Sequence, residues 1–172
     1  MKKSVVLLLV IFLCSCGFTP LYKQTKINGS YSSATINEMS KIRITVIKDR
    51  FGQQLRNELL DIITPKGAPL SPTYRLDVKI DKKEVVQQAM RNDVTATSER
   101  IEYLVSYKLF SEQNKLVEGT SIAFVSYDIL TNPYSTTTAQ KKAESDAAKI
   151  LANDIALRIA AYFHSRYDGK NK

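Results

Sequence analysis

Cysteine, histidine and tryptophan are almost absent from this chain of 172 residues, which has two cysteines, one histidine and no tryptophan. Cys14, Cys16 and His164 are too few to form a typical zinc site of four cysteine and histidine ligands. A serine–histidine–acid triad would depend on His164, which falls in the last turns of a predicted C-terminal helix. The sequence also has no glycine-rich phosphate-binding loop. We therefore predict that the protein is not an enzyme and needs no metal or other cofactor.

No apolar run in the sequence approaches the roughly 20 residues that a helix needs to span a bilayer. The run Val5–Leu13 follows two lysines and has the length of the apolar core of a signal peptide. Leu13, Cys14 and Ser15 then precede Cys16, which resembles the lipobox of bacterial lipoproteins. We therefore predict that residues 1–15 are a lipoprotein signal peptide and that Cys16 carries the lipid. The alternative is an ordinary secretory signal with a chance cysteine.

Lipidation at Cys16 has consequences for chemistry and for location. Cys14 would leave with the signal and the Cys16 thiol would be blocked, so the mature chain would have no free thiol and no disulfide. Gly17 stands where aspartate commonly retains lipoproteins at the inner membrane, which favours the outer membrane. The formal charge of +8 would fall to +6 without Lys2 and Lys3. A basic exported protein is expected to bind acidic partners such as lipid phosphate, and not nucleic acid.

The first half of the mature chain predicts a tether, a strand and a helix. Residues 16–40 are polar after the lipidation site and are expected to form a lipidated N-terminus and an irregular tether. Alternating apolar residues predict that Ile42, Ile44 and Val46 share the buried face of a strand. Asp49 is expected to cap a helix that ends before Pro65, with one buried stripe. The stripe consists of Phe51, Leu55, Leu59 and Ile62, widened by Leu60 and Ile63.

The second half predicts three strands and one long helix. Period-two patterns predict strands that start at Tyr74, near Ile101 and near Lys115. The middle strand is expected to place Ile101, Tyr103, Val105, Tyr107 and Leu109 on one face, and both faces of the last strand are partly apolar. After a loop, "TNPYSTTT", an apolar stripe predicts a helix from about Thr138 to Tyr167. The stripe consists of Ala143, Ala147, Leu151, Ile155, Ile159 and Tyr162 or Phe163. The domain is expected to cover residues 41–168, with 169–172 as a tail. The prediction is an α+β fold in which two helices pack on one face of a mostly antiparallel four-stranded sheet, in the order βαβββα.

Three stretches together resemble a known family. They are "CGFTPLY" at the predicted lipidation site, "FGQQLRNEL" in the first helix, and "NPY" before the long alanine-rich helix. This combination resembles the lipopolysaccharide-assembly lipoproteins of the LptE family, in their alphaproteobacterial form. The resemblance implies an α+β sandwich without enzymatic activity. It also implies a plug inside the outer-membrane β-barrel LptD, which supports assembly of that barrel and binds lipopolysaccharide.

The resemblance also suggests residues that bind lipopolysaccharide. A basic residue between the second and third strands corresponds to Arg91, and one near the start of the last helix corresponds to Lys141 or Lys142. Adjacent lysines such as these are most often an ordinary solvated surface. Two other functions stay open: a lipid carrier, which needs an apolar cavity of several hundred Å³, and a hydrolase that uses His164.

Overall fold

The computed structural model describes residues 33–88 and 97–168. The described chain follows the predicted order βαβββα with one helix added in front, so the predicted α+β class is confirmed. Its elements are α1 (Ser33–Met39), β1 (Ile42–Ile44), α2 (Asp49–Ile63), β2 (Tyr74–Gln87), β3 (Ser98–Ser111), β4 (Asn114–Asp128) and α3 (Pro133–Asp168).

The four described strands form one sheet in the order β1-β2-β3-β4. β2, β3 and β4 are an antiparallel meander, whereas β1 pairs in parallel with β2, with Arg43 opposite Arg75. The parallel pair follows from the connection, because α2 carries the chain back to the end of the sheet from which β1 started. The prediction of a mostly antiparallel sheet is confirmed.

One face of the sheet, which we call the inner face, carries the core. The predicted inward residues of β3 are all buried, and Tyr103 stacks on Phe51 of α2 with ring centroids 3.8 Å apart. α3 covers β4 and β3 and also packs against α2. Each leucine or isoleucine buried here contributes about 1.5–3 kcal/mol relative to an exposed one. The predicted stripe of α3 is confirmed, with these residues buried: Ala143, Ala147, Leu151, Ile155, Ile159 and Phe163.

Helix α1 corrects the prediction of an irregular tether through residue 40. Its Thr35, Glu38 and Met39 are buried, and the helix packs against α3. The Glu38 carboxylate accepts a hydrogen bond of 2.6 Å from the Tyr74 hydroxyl. A helix of seven residues shows little periodicity and is too short to be stable alone. It forms because tertiary contacts hold it, which a local sequence pattern cannot reveal.

The end of β1 also differs from the prediction. Val46 was expected on the buried face, but its side chain is 80% exposed, and Ile47 is buried instead. The strand pairing stops at Ile44, so the alternation that placed Val46 inward no longer applies. Ile47 packs onto Gly52 so closely that a Cβ atom at Gly52 would lie 2.7 Å from Ile47 Cγ2. The glycine near the start of α2 therefore makes room for Ile47.

The start of α2 does not use Asp49 as its cap. Lys48 is the N-cap residue, without a side-chain hydrogen bond, and Asp49 is the first helical residue, with φ of 69°. At the other end of the helix, Ile63 is buried whereas Ile62 is half-buried. Phe51, Leu55 and Leu59 of the predicted stripe are buried, and Leu60 is half-buried like Ile62. α2 therefore presents the expected face to the core.

Helix α3 begins about five residues before the predicted start at Thr138. Pro133 suits the first turn, because its fixed φ is helical and its missing N–H has no partner there. The Asn132 Oδ1 atom accepts a hydrogen bond of 2.9 Å from the Tyr134 N–H. The Thr137 hydroxyl donates back to the Pro133 carbonyl at 3.0 Å. The stretch predicted as a loop is therefore mostly the first turns of a helix of 36 residues, about 54 Å long.

Candidate functional site: two basic surfaces and a buried carboxylate

The structure describes two of the four residues predicted to be functional. Cys16 and Arg91 lie outside the described residues. Lys141 and Lys142 are both exposed on α3. The Lys142 Nζ atom lies 2.6 Å from a carboxylate oxygen of Asp146, one turn further along the helix. Lys141 makes no hydrogen bond or ion pair within the described part of the chain, so its ammonium is available to an external anion.

These lysines belong to the end of the sheet at which β2 stops and β3 begins. The Gln88 N–H donates to the Ser98 carbonyl at 2.9 Å, and Ser98 pairs with Asp128 at the end of β4. α3 starts only a few residues after Asp128. The residues that flank the 89–96 connection and the first turns of α3 therefore share one end of the sheet. We call the exposed pair Lys141 and Lys142 the lysine surface.

Glu144 fixes the part of α3 that carries the lysine surface. Its side chain is 4% exposed and bonds to two cations from other elements, Arg50 of α2 and Lys83 of β2. The Lys83 Nζ atom lies 3.0 Å from the carboxylate. A buried carboxylate is costly unless its oxygens are paired, and both oxygens of Glu144 are paired here. The ion pairs tie α3 to α2 and to the sheet one turn after Lys141.

The surroundings of this carboxylate are aromatic. The Lys83 Nζ atom lies 5.5 Å from the centre of the Tyr103 ring, in cation–π geometry. Burial works to lower the pKa of Lys83, but the interactions with Glu144 and Tyr103 together outweigh it, and the pKa lies above its ordinary value. Burial also raises the pKa of the Tyr103 hydroxyl. Lys83 and Tyr103 therefore stay protonated at neutral pH, and the arrangement suits a structural ion pair better than proton transfer.

A second tyrosine at this end of the sheet has a strongly raised pKa. The Tyr127 hydroxyl donates a hydrogen bond to the Glu99 carboxylate on the neighbouring strand. Burial, with the hydrogen bond to Glu99 adding to it, raises the pKa of Tyr127 to about 12. A phenol next to a carboxylate resists ionisation because two negative charges would then face each other.

A second basic surface, which the sequence did not reveal, lies at the open edge of β1. Arg43, Arg56 and Arg75 line a surface cavity of about 640 Å³, and Arg43 and Arg56 also line an adjoining cavity of about 330 Å³. We call the two cavities together the arginine groove. The Arg56 Nε atom donates to the Thr45 carbonyl at 3.2 Å, and Arg56 Nη2 donates to the Ile44 carbonyl at 3.4 Å. These bonds hold the Arg56 guanidinium against the edge of β1.

Two of the three arginines are direct neighbours across strands. Arg43 and Arg75 are register partners, so their side chains emerge side by side on the sheet face opposite the core, the outer face. Arg75 lies 4.7 Å above the Phe110 ring and donates to Asp77 at 3.3 Å. Arg43 makes no ion pair or hydrogen bond within residues 33–88 and 97–168. Like charges directly opposite are unfavourable, so this pair attracts a negative group.

The outer face also has an apolar area further along the sheet. Ile122 and Phe124 of β4 are 49% and 55% exposed, and Leu104 is the register partner of Ile122. The Arg100 guanidinium lies 5.6 Å from the centre of the Phe124 ring. The prediction that both faces of the last strand are partly apolar is confirmed. Apolar neighbours exposed on a sheet face are typical of a protein contact surface.

The described residues give no indication of a metal site or of a membrane-spanning helix. Among residues 33–88 and 97–168, no group of three or more histidine, cysteine, aspartate or glutamate side chains could hold a metal ion. Within the same ranges, none of the helices combines the length and apolar character that crossing a membrane requires. His164 is exposed near the end of α3.

Comparison with known proteins identifies a family. The family model described as "LptE: Lipopolysaccharide-assembly" matches residues 39–160. No curated protein matches the chain at a significant level.

Several solved structures share the fold. A protein described as a lipoprotein from Caulobacter crescentus CB15 matches with a TM-score of 0.63 and 21% identity, over 75% of this chain and 95% of that one. A minor lipoprotein from Acinetobacter baumannii matches with a TM-score of 0.53 and 18% identity, over 71% of this chain and 92% of that one. The rare lipoprotein B from Shewanella oneidensis matches with a TM-score of 0.52 and 9% identity, over 76% of this chain and 98% of that one. At these identities the structural matches show the fold alone.

Proposed function

The chain belongs to the LptE family of lipopolysaccharide-assembly proteins, and from this premise we propose that it is an outer-membrane lipoprotein anchored through Cys16. It occupies the lumen of the β-barrel protein LptD on the periplasmic side, supports the assembly of that barrel, and binds lipopolysaccharide on its way to the outer leaflet. It acts by binding and not by catalysis. The match of the family model to residues 39–160 carries the proposal, because it spans almost all of the described fold.

The structure is consistent with a plug. The space between the helices and the inner face is filled by packed apolar side chains. The two cavities described above are lined by arginines and lie at the surface, which does not suit a carrier that encloses an acyl chain. Barrel lumens are polar, so a folded domain with a charged surface can fill one. The exposed Ile122 and Phe124 offer an apolar contact for the barrel wall.

The lysine surface supports binding of lipopolysaccharide. Lys141 and Lys142 are exposed, and Glu144 holds their helix against the sheet. Their end of the sheet is also the end at which β2 and β3 connect through the segment that contains Arg91. We propose that Arg91, Lys141 and Lys142 together contact anionic groups of lipopolysaccharide, where ammonium and guanidinium groups can form charge-assisted hydrogen bonds.

Purification from outer membranes tests the barrel partner. Photo-crosslinking side chains would replace Phe124 on the outer face and Leu157, which is 58% exposed on α3. The expected result is a crosslink to a large β-barrel protein from at least one of these positions. A crosslinker at the buried Leu151 is the matched control and should give no adduct. Protein that is present in the outer membrane without any barrel crosslink would contradict the proposal.

Mass spectrometry of the purified protein tests the anchor separately. We expect the mature chain to begin at Cys16 and to carry diacylglycerol and an acylated N-terminus. A Cys16→Ala variant should lose the lipid and leave the outer-membrane fraction. A mature chain that begins elsewhere, or a Cys16→Ala variant that remains in the outer membrane, would show that the anchor is wrongly assigned.

A further inference from the structure

The arginine groove lies at the end of the sheet remote from the lysine surface. It is lined by residues at the start of β2, including Arg75, and by Glu112 in the turn between β3 and β4. The lysine surface follows the other end of β4, where Asp128 pairs with Ser98. β2 has 14 residues and spans about 45 Å, so the two basic surfaces are separate.

The guanidinium groups of the groove are placed to receive an anion. Three arginines line the larger cavity, against one carboxylate, Glu112. Arg56 is held in position by backbone carbonyls, which neutralise none of its charge. Arg75 is oriented by the Phe110 ring, and its bond to Asp77 joins two exposed groups, which adds little stability. Arg43, with no ionic partner among the described residues, adds a further charge beside Arg75.

The rim of the groove is apolar. Val46 lines the larger cavity and is 80% exposed, and Leu70 lines the smaller one and is fully exposed. Exposed single aliphatic residues are common on proteins, but these two flank the same arginines. A ligand with a negative head group next to hydrocarbon would satisfy the arginines and the aliphatic side chains together.

We propose that the arginine groove binds an oxyanion, a phosphate or a carboxylate, on the head group of lipopolysaccharide, with Val46 and Leu70 contacting the adjoining acyl chains. The inference rests on the proposed function, which supplies the ligand. Guanidinium groups suit this role because each can donate two parallel hydrogen bonds to an oxyanion. Lipopolysaccharide would then be contacted at two places, the lysine surface and the arginine groove.

A charge-reversal pair tests the groove in the full mature protein. Arg43→Glu with Arg75→Glu should weaken binding to lipopolysaccharide micelles at least tenfold, measured by titration at moderate salt. Lys79→Glu with Lys149→Glu is the matched control, because both lysines are exposed and lie outside the groove. The control should stay within about twofold of wild type. Unchanged thermal unfolding of both pairs shows that the fold is intact. Equal binding by wild type and the groove pair, or equal loss in the control, would overturn the inference.

Inorganic phosphate tests the oxyanion site without the lipid. Titration with phosphate should shift the backbone amide NMR signals of Thr45, Val46 and Thr73 in wild type and not in the groove pair. No shift at these amides would overturn the site.

Vesicles of phosphatidylglycerol test the source of the head group, and they should compete with lipopolysaccharide poorly. Competition equal to that of lipopolysaccharide would reject lipopolysaccharide as the specific ligand. A different result, the absence of a barrel partner in the crosslinking experiment, would contradict the proposed function.

Discussion

Replacing Glu144 with glutamine should destabilise the fold because it removes one buried negative charge. The change keeps the size of the side chain but removes the charge that Arg50 and Lys83 share. Hydrogen bonds to charged groups contribute about 1.5–3 kcal/mol each. The side chains of Arg50 and Lys83 are 67% and 42% exposed, so water recovers about half of each loss. We therefore expect the free energy of unfolding to fall by about 1.5–3 kcal/mol.

Urea unfolding followed by circular dichroism measures this change. Asp146→Asn is the matched control, since Asp146 lies on the same helix and its ion pair with Lys142 is largely exposed. The control should change the free energy by less than about 0.5 kcal/mol. A cycle with Lys83→Gln should show coupling, because the two residues share one contact. A loss at Glu144 no larger than at Asp146, without coupling to Lys83, would refute the structural role of the buried carboxylate.

Three further experiments test other parts of the structure. Leu151→Ala, at a fully buried position, should lower the free energy of unfolding by about 2–5 kcal/mol. Leu157→Ala, at a position that is 58% exposed, should lower it by less than about 0.5 kcal/mol. Similar losses for the two variants would mean that the buried face of α3 is wrongly assigned. Stability should fall as the pH rises from about 10 to about 12, because unfolded tyrosine ionises near 10 whereas the pKa of Tyr127 is about 12. Urea unfolding across this range should show a smaller fall for Tyr127→Phe, and an identical fall would exclude Tyr127 as a contributor. Arg91→Asp with Lys141→Asp should weaken lipopolysaccharide binding and leave the thermal midpoint nearly unchanged; loss of both together would show that these residues are structural.

Much of the fold could be predicted because its long elements have regular patterns. Alternation in β3 identified its buried residues from Ile101 to Leu109, and the 3.6-residue period of α3 identified its buried stripe. Short elements were less predictable. α1 depends on contacts with α3 that no local pattern shows, and the exposure of Val46 follows from where the pairing of β1 ends. The start of α3 was predicted too late along the chain, because the hydroxyl side chains near Pro133 are compatible with a helix as well as with a turn.

The candidate site, like the fold, could be predicted from the sequence only in part. Lys141 and Lys142 could be placed on α3 from sequence, and the structure finds them exposed there. The arginine groove could not be predicted, because the proximity of Arg43 and Arg75 depends on a parallel pairing between distant segments. Glu144 did leave a signal in the sequence. It lies directly beside Ala143 on the buried stripe of α3, and a carboxylate at such a position needs cations from other elements.

The packing of α3 has a consequence for how the protein folds after synthesis. α1, α2 and β4 all rest on this last helix, whereas β2, β3 and β4 pair with their neighbours in sequence. A chain that emerges N-terminus first could form the meander early, but α1 and α2 would lack the helix against which both of them pack until residues 133–168 arrive. The two helices α1 and α2 would then become rigid later than the strands of the meander. Pulsed hydrogen exchange during refolding should protect β2 and β3 before α2, and simultaneous protection would contradict this order.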